Sequence, residues 1–151
     1  MSYFNIRVYG LLVNEHQELL LSDEQQLGRQ FTKFPGGGLE LGEGIKDCLM
    51  REFMEECNME IEIIQHIYTT DFYEKSSFND SQIISVYYLV KSIAEINLDI
   101  RQESYDFGGS FEPEQRFRWK LLESVSNSDL TFDTDRRAIE LLKSQFVKAE
   151  N

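Results

Sequence analysis

The sequence predicts an α/β fold in which helices cover the faces of a mixed central sheet. β-rich segments alternate with polar turns through most of the chain, and two stretches instead repeat their apolar residues at helical spacing. These stretches are residues 45–57 and residues from about 133 to 147. A length of 151 residues and a hydrophobic content of 41% suit a single domain over residues 1–151.

The N-terminal half is expected to form a β-hairpin and then the first helix. The segments "YFNIRVYGLLV" and "ELLLS" are β-rich, and the turn "NEHQ" between them is typical of a hairpin. The following "SDEQQLGRQ" is largely polar and is predicted to be a loop. The helix over residues 45–57 is expected to end before Asn58, and Asn58 is expected to close it in the left-handed conformation, which asparagine tolerates.

The C-terminal half is expected to add three strands and the closing helix. "MEIEIIQHIYTTDFY" alternates apolar and polar residues, and the second strand, "QIISVYYLV", follows the connection "EKSSFNDS". A polar stretch, "RQESYDFGGSFEPE", precedes the strand "RFRWKLL". Asp133 or Thr134 is a candidate cap for a helix that continues to about Val147.

Three glutamates, Glu52, Glu55 and Glu56, share one face of the predicted first helix, because residues three and four apart are neighbours there. The same arc carries apolar residues one or two turns earlier, so the carboxylates are expected at the boundary of the core. Burying part of an unpaired anionic cluster is costly unless cations neutralise it. Mg²⁺, a hard cation that takes oxygen ligands, is the expected neutraliser.

A run of glycines precedes this helix. The sequence "FPGGG" ends an apolar stretch, and its glycines let backbone groups approach a ligand because no Cβ stands in the way. Gly37, in the middle of the run, is therefore a candidate substrate contact. Glu43 lies just before the helix, where an acid suits the positive end of the helix dipole. Together these features predict a phosphate site that uses metal instead of many lysines.

The spacing of these residues resembles the Nudix box: a glycine, five residues, Glu, seven residues, then Arg-Glu-apolar-x-Glu-Glu-x-Gly-apolar. Asn58 stands where the family has the last glycine. The resemblance extends over nearly the whole chain and implies a Nudix-like α/β/α sandwich. The matching residues are Gly37, Glu43, Arg51, Glu52, Phe53, Glu55, Glu56 and Met59.

The resemblance implies an enzyme, a Nudix-type pyrophosphohydrolase with Mg²⁺ as cofactor and Mn²⁺ as its substitute. Such enzymes hydrolyse a diphosphate linkage in a nucleoside diphosphate derivative by attack of water on phosphorus. Glu55 and Glu56 are then metal ligands, and Glu52 either binds metal or activates the water. The carbonyl of Gly36 is a further candidate ligand.

Two more carboxylates and an arginine complete the predicted reaction site. Arg51 lies off the carboxylate arc, so it is predicted to hold a glutamate, with Glu43 as the candidate, through bidentate hydrogen bonds. Many family members add an acid from the loop before a later strand. Glu112 and Glu114 are both candidates here, and Glu114 is favoured.

Substrate contacts are expected from residues outside the box. Arg7 and Lys33 are candidates for binding phosphate, and Lys33 is close to the glycine run in sequence. Phe78 is a candidate for stacking on a base. Asp135 stands where some relatives place a polar residue that recognises the base. The identity of the substrate stays open among nucleoside triphosphates, ADP-ribose and other sugar nucleotides.

The net charge and the distribution of apolar residues argue against nucleic acid and membrane as partners. The net charge of −12 argues against a nucleic-acid backbone or an anionic membrane, because either favours a basic surface. The sequence lacks the roughly 20-residue apolar run that spans a bilayer, and "MSYFNIRVYG" lacks the apolar core of a signal peptide, so a cytoplasmic protein is expected. A homodimer, common in the family, stays open.

The same fold also allows two other functions, a sensing module and an isomerase. A non-catalytic Nudix-like module that senses a nucleotide or sugar nucleotide would be expected to have lost some box acids, which are intact here. An isomerase of the prenyl diphosphate type would need a catalytic cysteine elsewhere. Cys48 and Cys57 both lie in the box helix and are predicted to be small core residues.

Overall fold

A computed structural model describes residues 2–150, with side chains as far as residue 146. It contains seven strands, two α-helices and two short 3₁₀ turns, Leu122–Ser124 and Asn127–Asp129. The strands are β1 Phe4–Leu12, β2 Glu18–Gln26, β3 Arg29–Lys33, β4 Gly36–Gly38, β5 Ile61–Thr69, β6 Gln82–Ser92 and β7 Glu114–Leu121, and the helices are α1 Ile45–Cys57 and α2 Asp133–Glu150.

The strands form two sheets. The larger sheet has the order β4-β1-β6-β5, with β1 and β6 parallel and the other neighbours antiparallel. The smaller sheet has the order β3-β2-β7 and is antiparallel throughout. The predicted α/β fold with a mixed sheet is thus confirmed, and the second sheet is an addition to it.

The two helices pack on opposite faces of the larger sheet, which gives the sandwich. Val8 and Leu12 of β1 belong to the core beneath α1, whereas Tyr9 and Leu11 belong to the core beneath α2. This division follows from the alternation of side chains along a strand. Gly10 permits the close packing of α1, because a Cβ there would lie 2.4 Å from the Phe53 ring.

The first two strands differ from the predicted hairpin. A single antiparallel bridge joins Val13 to Leu19, and beyond it β1 and β2 enter different sheets. The segment predicted as a polar loop is in fact the end of β2, a tight turn at Leu27 and Gly28, and the start of β3. Both turn residues have positive φ, 53° and 74°, which suits a two-residue hairpin connection. Pairing of β2 with β3 and β7 on its two sides overrides its low strand propensity.

Of two sequence predictions about the helices, the one on the cap of the closing helix is wrong and the one on the cysteines is confirmed. The closing helix begins at Asp133, so Asp133 and Thr134 lie in its first turn and do not cap it. The Thr134 hydroxyl instead shares a 2.9 Å hydrogen bond with that of Thr70. Cys48 and Cys57 are buried free thiols, as predicted, and burial raises the pKa of each to about 12.

Neither helix in the described part of the chain combines the length and apolar character that crossing a bilayer requires.

The helix α1 ends at Asn58 in the left-handed conformation, with φ 48° and ψ 44°. The backbone N–H of Asn58 donates to the carbonyl oxygen of Met54, and the N–H of Met59 donates to the carbonyl oxygen of Phe53. These bonds satisfy carbonyls at the end of the helix. Asn tolerates this conformation better than other residues with a Cβ, so the departure from the box preserves the turn.

We expect Asn58→Gly to change the free energy of unfolding by at most about 1 kcal/mol, because glycine adopts positive φ freely. Asn58→Val should cost more than about 1 kcal/mol, since a β-branched residue is strained there. Thermal unfolding of both variants tests this. Equal stability of the two would show that the conformation of residue 58 contributes nothing.

Candidate active site

The three glutamates of α1 lie at the helix end nearest the glycine strand β4. The side chains of Glu52 and Glu55 are 14% and 57% exposed. Glu56 is partly buried and accepts hydrogen bonds from the N–H of Gly36 at 2.8 Å and from Nε2 of Gln115 at 2.9 Å. Burial raises the pKa of Glu56 to about 7 despite these donors.

Arg51 joins the acids into one network. Its Nε and Nη2 donate to the two oxygens of Glu43 at 3.0 and 2.7 Å, which is the bidentate contact expected from sequence. Its Nη1 donates to Glu52 at 3.1 Å and to Glu55 at 3.2 Å. The hydrogen bonds that Arg51 donates to Glu43 lower the pKa of Glu43 to about 2. The guanidinium therefore fixes acids from the helix and from the turn before it.

The glycine strand brings backbone directly against these acids. Gly36 has φ +148°, and a Cβ there would lie 2.1 Å from the carbonyl oxygen of Val8. A Cβ on Gly37 would lie 2.5 Å from Oε1 of Glu52. Gly36 contacts the acids through its N–H. The metal-binding role of its carbonyl remains a prediction.

One face of the smaller sheet completes the acid cluster. Gln115 donates to the Ser22 hydroxyl at 2.8 Å as well as to Glu56, and Ser22 donates to Glu24 at 2.9 Å. The ammonium of Lys33 lies 3.6 Å from the Glu24 carboxylate. Glu24 and Gln115 were not among the site residues predicted from the sequence. The Leu-Gly turn between two segments of strand length was the available signal for the strand that carries Glu24.

The structure does not bring the predicted loop acids, Glu112 and Glu114, to this cluster. Glu114 pairs with Arg116 at 2.6 Å, two residues along β7. Because side chains alternate along a strand, both face away from the side on which Gln115 contacts Glu56. Glu112 precedes the strand and is exposed. Gln115 thus takes the place where an acid was expected.

A cleft of about 220 Å³ contains four of the five predicted substrate-binding residues. Arg7, Lys33, Phe78 and Asp135 all line it, whereas Gly37 does not. The Arg7 guanidinium donates to the hydroxyl of Tyr9 at 2.6 Å, and Tyr9 also lines the cleft. Residues that are distant in sequence therefore form one concave surface.

The acid cluster suits a hard divalent cation in its donor atoms, which are carboxylate oxygens. The absence of a Cβ at Gly37 leaves the space that the Glu52 carboxylate occupies. Among the described residues, no three His, Cys, Asp or Glu side chains are already gathered as a metal site. Glu52 and Glu55 are instead held by Arg51, because its Nη1 donates a hydrogen bond to each of them.

The chain belongs to the Nudix family, because the family model described as the NUDIX domain matches residues 4–141. The predicted class, a Nudix-type pyrophosphohydrolase, is confirmed at the level of this family.

Solved structures of Nudix proteins have the same fold. A MutT protein from Methanosarcina mazei Go1 is 19% identical, with a TM-score of 0.71 and 96% of each chain covered. A NUDIX hydrolase from Nitrosomonas europaea is 16% identical, with a TM-score of 0.70, and the match covers 94% of this chain and 90% of that one. An ADP-ribose pyrophosphatase from Streptococcus suis 89-1591 is 16% identical, with a TM-score of 0.59 and coverage of 97% and 92%.

We expect Gly37→Ala to lower hydrolytic activity on the order of 10²-fold while the fold survives. The new methyl group displaces the end of the flexible Glu52 side chain, and displacements of about 1 Å in an active site have costs of this size. Gly38→Ala is the matched control, since its Cβ would meet only Arg7, at 3.6 Å. Thermal unfolding and turnover are measured for both. Full activity of Gly37→Ala would contradict the placement of Glu52.

Proposed function

We propose that this chain hydrolyses a diphosphate linkage in a nucleoside diphosphate derivative, with Mg²⁺ as cofactor and Mn²⁺ as its substitute. The observation that carries the proposal is the continuity of the acid cluster with a cleft that contains cations and aromatic rings. Lys33 connects the two parts: it lies 3.6 Å from Glu24 and lines the cleft. A nucleotide can therefore place its phosphates near the acids and its base among the rings.

The glutamates of α1 are proposed to hold the cation and the attacking water. Glu55 and Glu56 bind the cation, and Glu52, held by Arg51, orients or deprotonates the water. A bound divalent cation supplies neutralisation of phosphate charge and a lowered pKa of bound water. Arg51 positions Glu52 through the network that also includes Glu43.

Glu24 is proposed to supply the additional acid for which Glu114 was the candidate from sequence. Its carboxylate is linked through Ser22 and Gln115 to Glu56, and its charge acts on Glu56 by raising its pKa. The neighbouring ammonium of Lys33 partly offsets the charge of both acids. Gln115 positions Glu56 and leaves the net charge of the cluster unchanged.

Substrate contacts are proposed at the cleft. Arg7 and Lys33 bind phosphate oxygens, for which charge-assisted hydrogen bonds are strong. Phe78 packs on the base, and Asp135 contacts it. The solved relative named an ADP-ribose pyrophosphatase makes ADP-ribose a candidate substrate beside nucleoside triphosphates and other sugar nucleotides. A cytoplasmic location and a homodimer remain predictions.

Removal of metal by EDTA should abolish hydrolysis, and Mg²⁺ or Mn²⁺ should restore it. Glu55→Gln and Glu56→Gln should each lower turnover on the order of 10²-fold or more, because each removes a proposed charged ligand. Release of phosphate or pyrophosphate from a panel of nucleotides and sugar nucleotides is measured. Glu62→Gln on the exposed surface of β5 is the control. Undiminished hydrolysis in EDTA would reject the proposed metal-dependent chemistry. No turnover of any compound in the panel, with Mg²⁺ or Mn²⁺ present, would favour the sensing module.

The reassignment of the additional acid has its own test. Glu24→Gln should lower kcat about tenfold or more, the scale seen when a residue beside a metal ligand is lost. Glu114→Gln should change kcat less than about twofold, because its carboxylate pairs with Arg116 on the face of β7 that points away from Glu56. Steady-state kinetics at saturating Mg²⁺ distinguish them. The opposite ranking would restore Glu114 as the candidate.

A further inference from the structure

Two carboxyl groups in the cleft each have an oxygen without a hydrogen-bond partner among the described residues. They are Oδ2 of Asp135, at the start of α2, and Oε2 of Glu74, in the connection between β5 and β6. Asp135 is only 2% exposed, and both residues line the cleft. A buried acceptor without a partner is unfavourable, so a ligand that donates hydrogen bonds here gains binding energy.

Asp135 is held in a defined orientation. The hydroxyl of Tyr87, itself fully buried, donates a hydrogen bond to Oδ1 of Asp135. The second oxygen, Oδ2, is therefore the one left for a ligand. Burial raises the pKa of Asp135 to about 7, and burial together with the charge of Asp133 raises the pKa of Glu74. In their ionised forms the two carboxyl groups offer two free acceptor oxygens on different elements.

An aromatic surface lies beside these carboxyl groups. The ring of Phe31 is 5.3 Å from that of Phe78 and 5.8 Å from that of Phe132, measured between centroids, and all three residues line the cleft. Flat aromatic groups pack well on such surfaces. Lys33 lines the same cleft, and its ammonium lies 3.6 Å from the Glu24 carboxylate, so it connects the acid cluster to the cleft.

We propose that this end of the cleft selects nucleotides whose base carries an exocyclic amino group, with Asp135 and Glu74 accepting its hydrogen bonds. The inference rests on the proposed function, because it assumes that phosphates bind toward Lys33. Cytosine, adenine and guanine carry such an amino group. Uracil, thymine and hypoxanthine present a carbonyl or a C–H instead, which leaves a buried acceptor unmatched or opposes it with another acceptor.

Equilibrium binding of nucleoside monophosphates to the intact chain tests the inference without requiring turnover. CMP should bind about tenfold or more tightly than UMP, and GMP about tenfold or more tightly than IMP, since each weaker ligand loses a hydrogen bond to a charged or buried partner. GMP and IMP differ only in the amino group. Preference without hydrolysis would retain the inference and reject the proposed reaction, whereas hydrolysis without preference would do the reverse.

Two variants identify the residues responsible. In Asp135→Asn, the Tyr87 hydroxyl holds the amide oxygen, so the amide nitrogen takes the position of Oδ2 and becomes a donor. The preference between CMP and UMP should then reverse toward UMP, whose carbonyl accepts. Glu74→Met keeps the side-chain length and removes the acceptor, so the CMP-to-UMP affinity ratio should fall several-fold.

Glu62→Gln, which removes a carboxylate from the surface of β5, is the matched control and should leave every ratio unchanged. Thermal unfolding of each variant confirms that it folds, and Glu74→Met decides the matter if Asp135→Asn does not. Equal affinities for CMP and UMP and for GMP and IMP overturn the inference. So does the absence of binding by any monophosphate at millimolar concentration, or an unchanged ratio in a folded Glu74→Met variant.

Discussion

The contact between the acidic end of α1 and the glycine strand β4 is the constraint on which the candidate site depends. A Cβ at Gly37 would overlap the Glu52 carboxylate, so glycine there lets the helix approach this closely, and a Cβ at Gly36 would overlap the backbone of β1. The approach places the N–H of Gly36 on Glu56 and the carbonyl of Gly38 on Arg51. Arg51 then fixes Glu43 and Glu52, and the orientation of the whole cluster follows from backbone geometry.

The site combines a strongly acidic chain with a few well-placed cations. A net charge of −12 would repel a phosphorylated ligand over most of the surface. Arg7 and Lys33 offset this locally, and each is held beside the ring of Tyr9, with the cation 5.7 and 5.3 Å from its centroid. A divalent cation bound by the glutamates would reverse the local sign further. An acidic net charge is therefore compatible with the proposed phosphate site.

Sequence predicted the parts of the site that depend on local periodicity. The helix α1, its left-handed end at Asn58 and the pairing of Arg51 with Glu43 all follow from spacing along one element. The residues of the smaller sheet that face the cluster, Glu24 and Gln115, were not predicted, because their positions depend on pairing between strands. Glu24 was placed in a loop, and Glu114 was favoured although Gln115 faces the cluster. A shift of one residue in a strand moves a side chain to the opposite face, and no local pattern revealed that register.

In the proposed function, reaction and base recognition belong to different elements of the fold. The acids proposed for the reaction come from α1 and β2, whereas Asp135 and Glu74, proposed for base recognition, come from the start of α2 and the connection before β6. Tyr87 of β6 fixes Asp135, and it packs against the core beneath α2 and not the core that supports the acids. Because the two ends are supported by different layers, a substitution in the connection can change the base that is selected without moving the glutamates. This separation explains physically how one reaction can be retained on a fold while the accepted nucleotide varies.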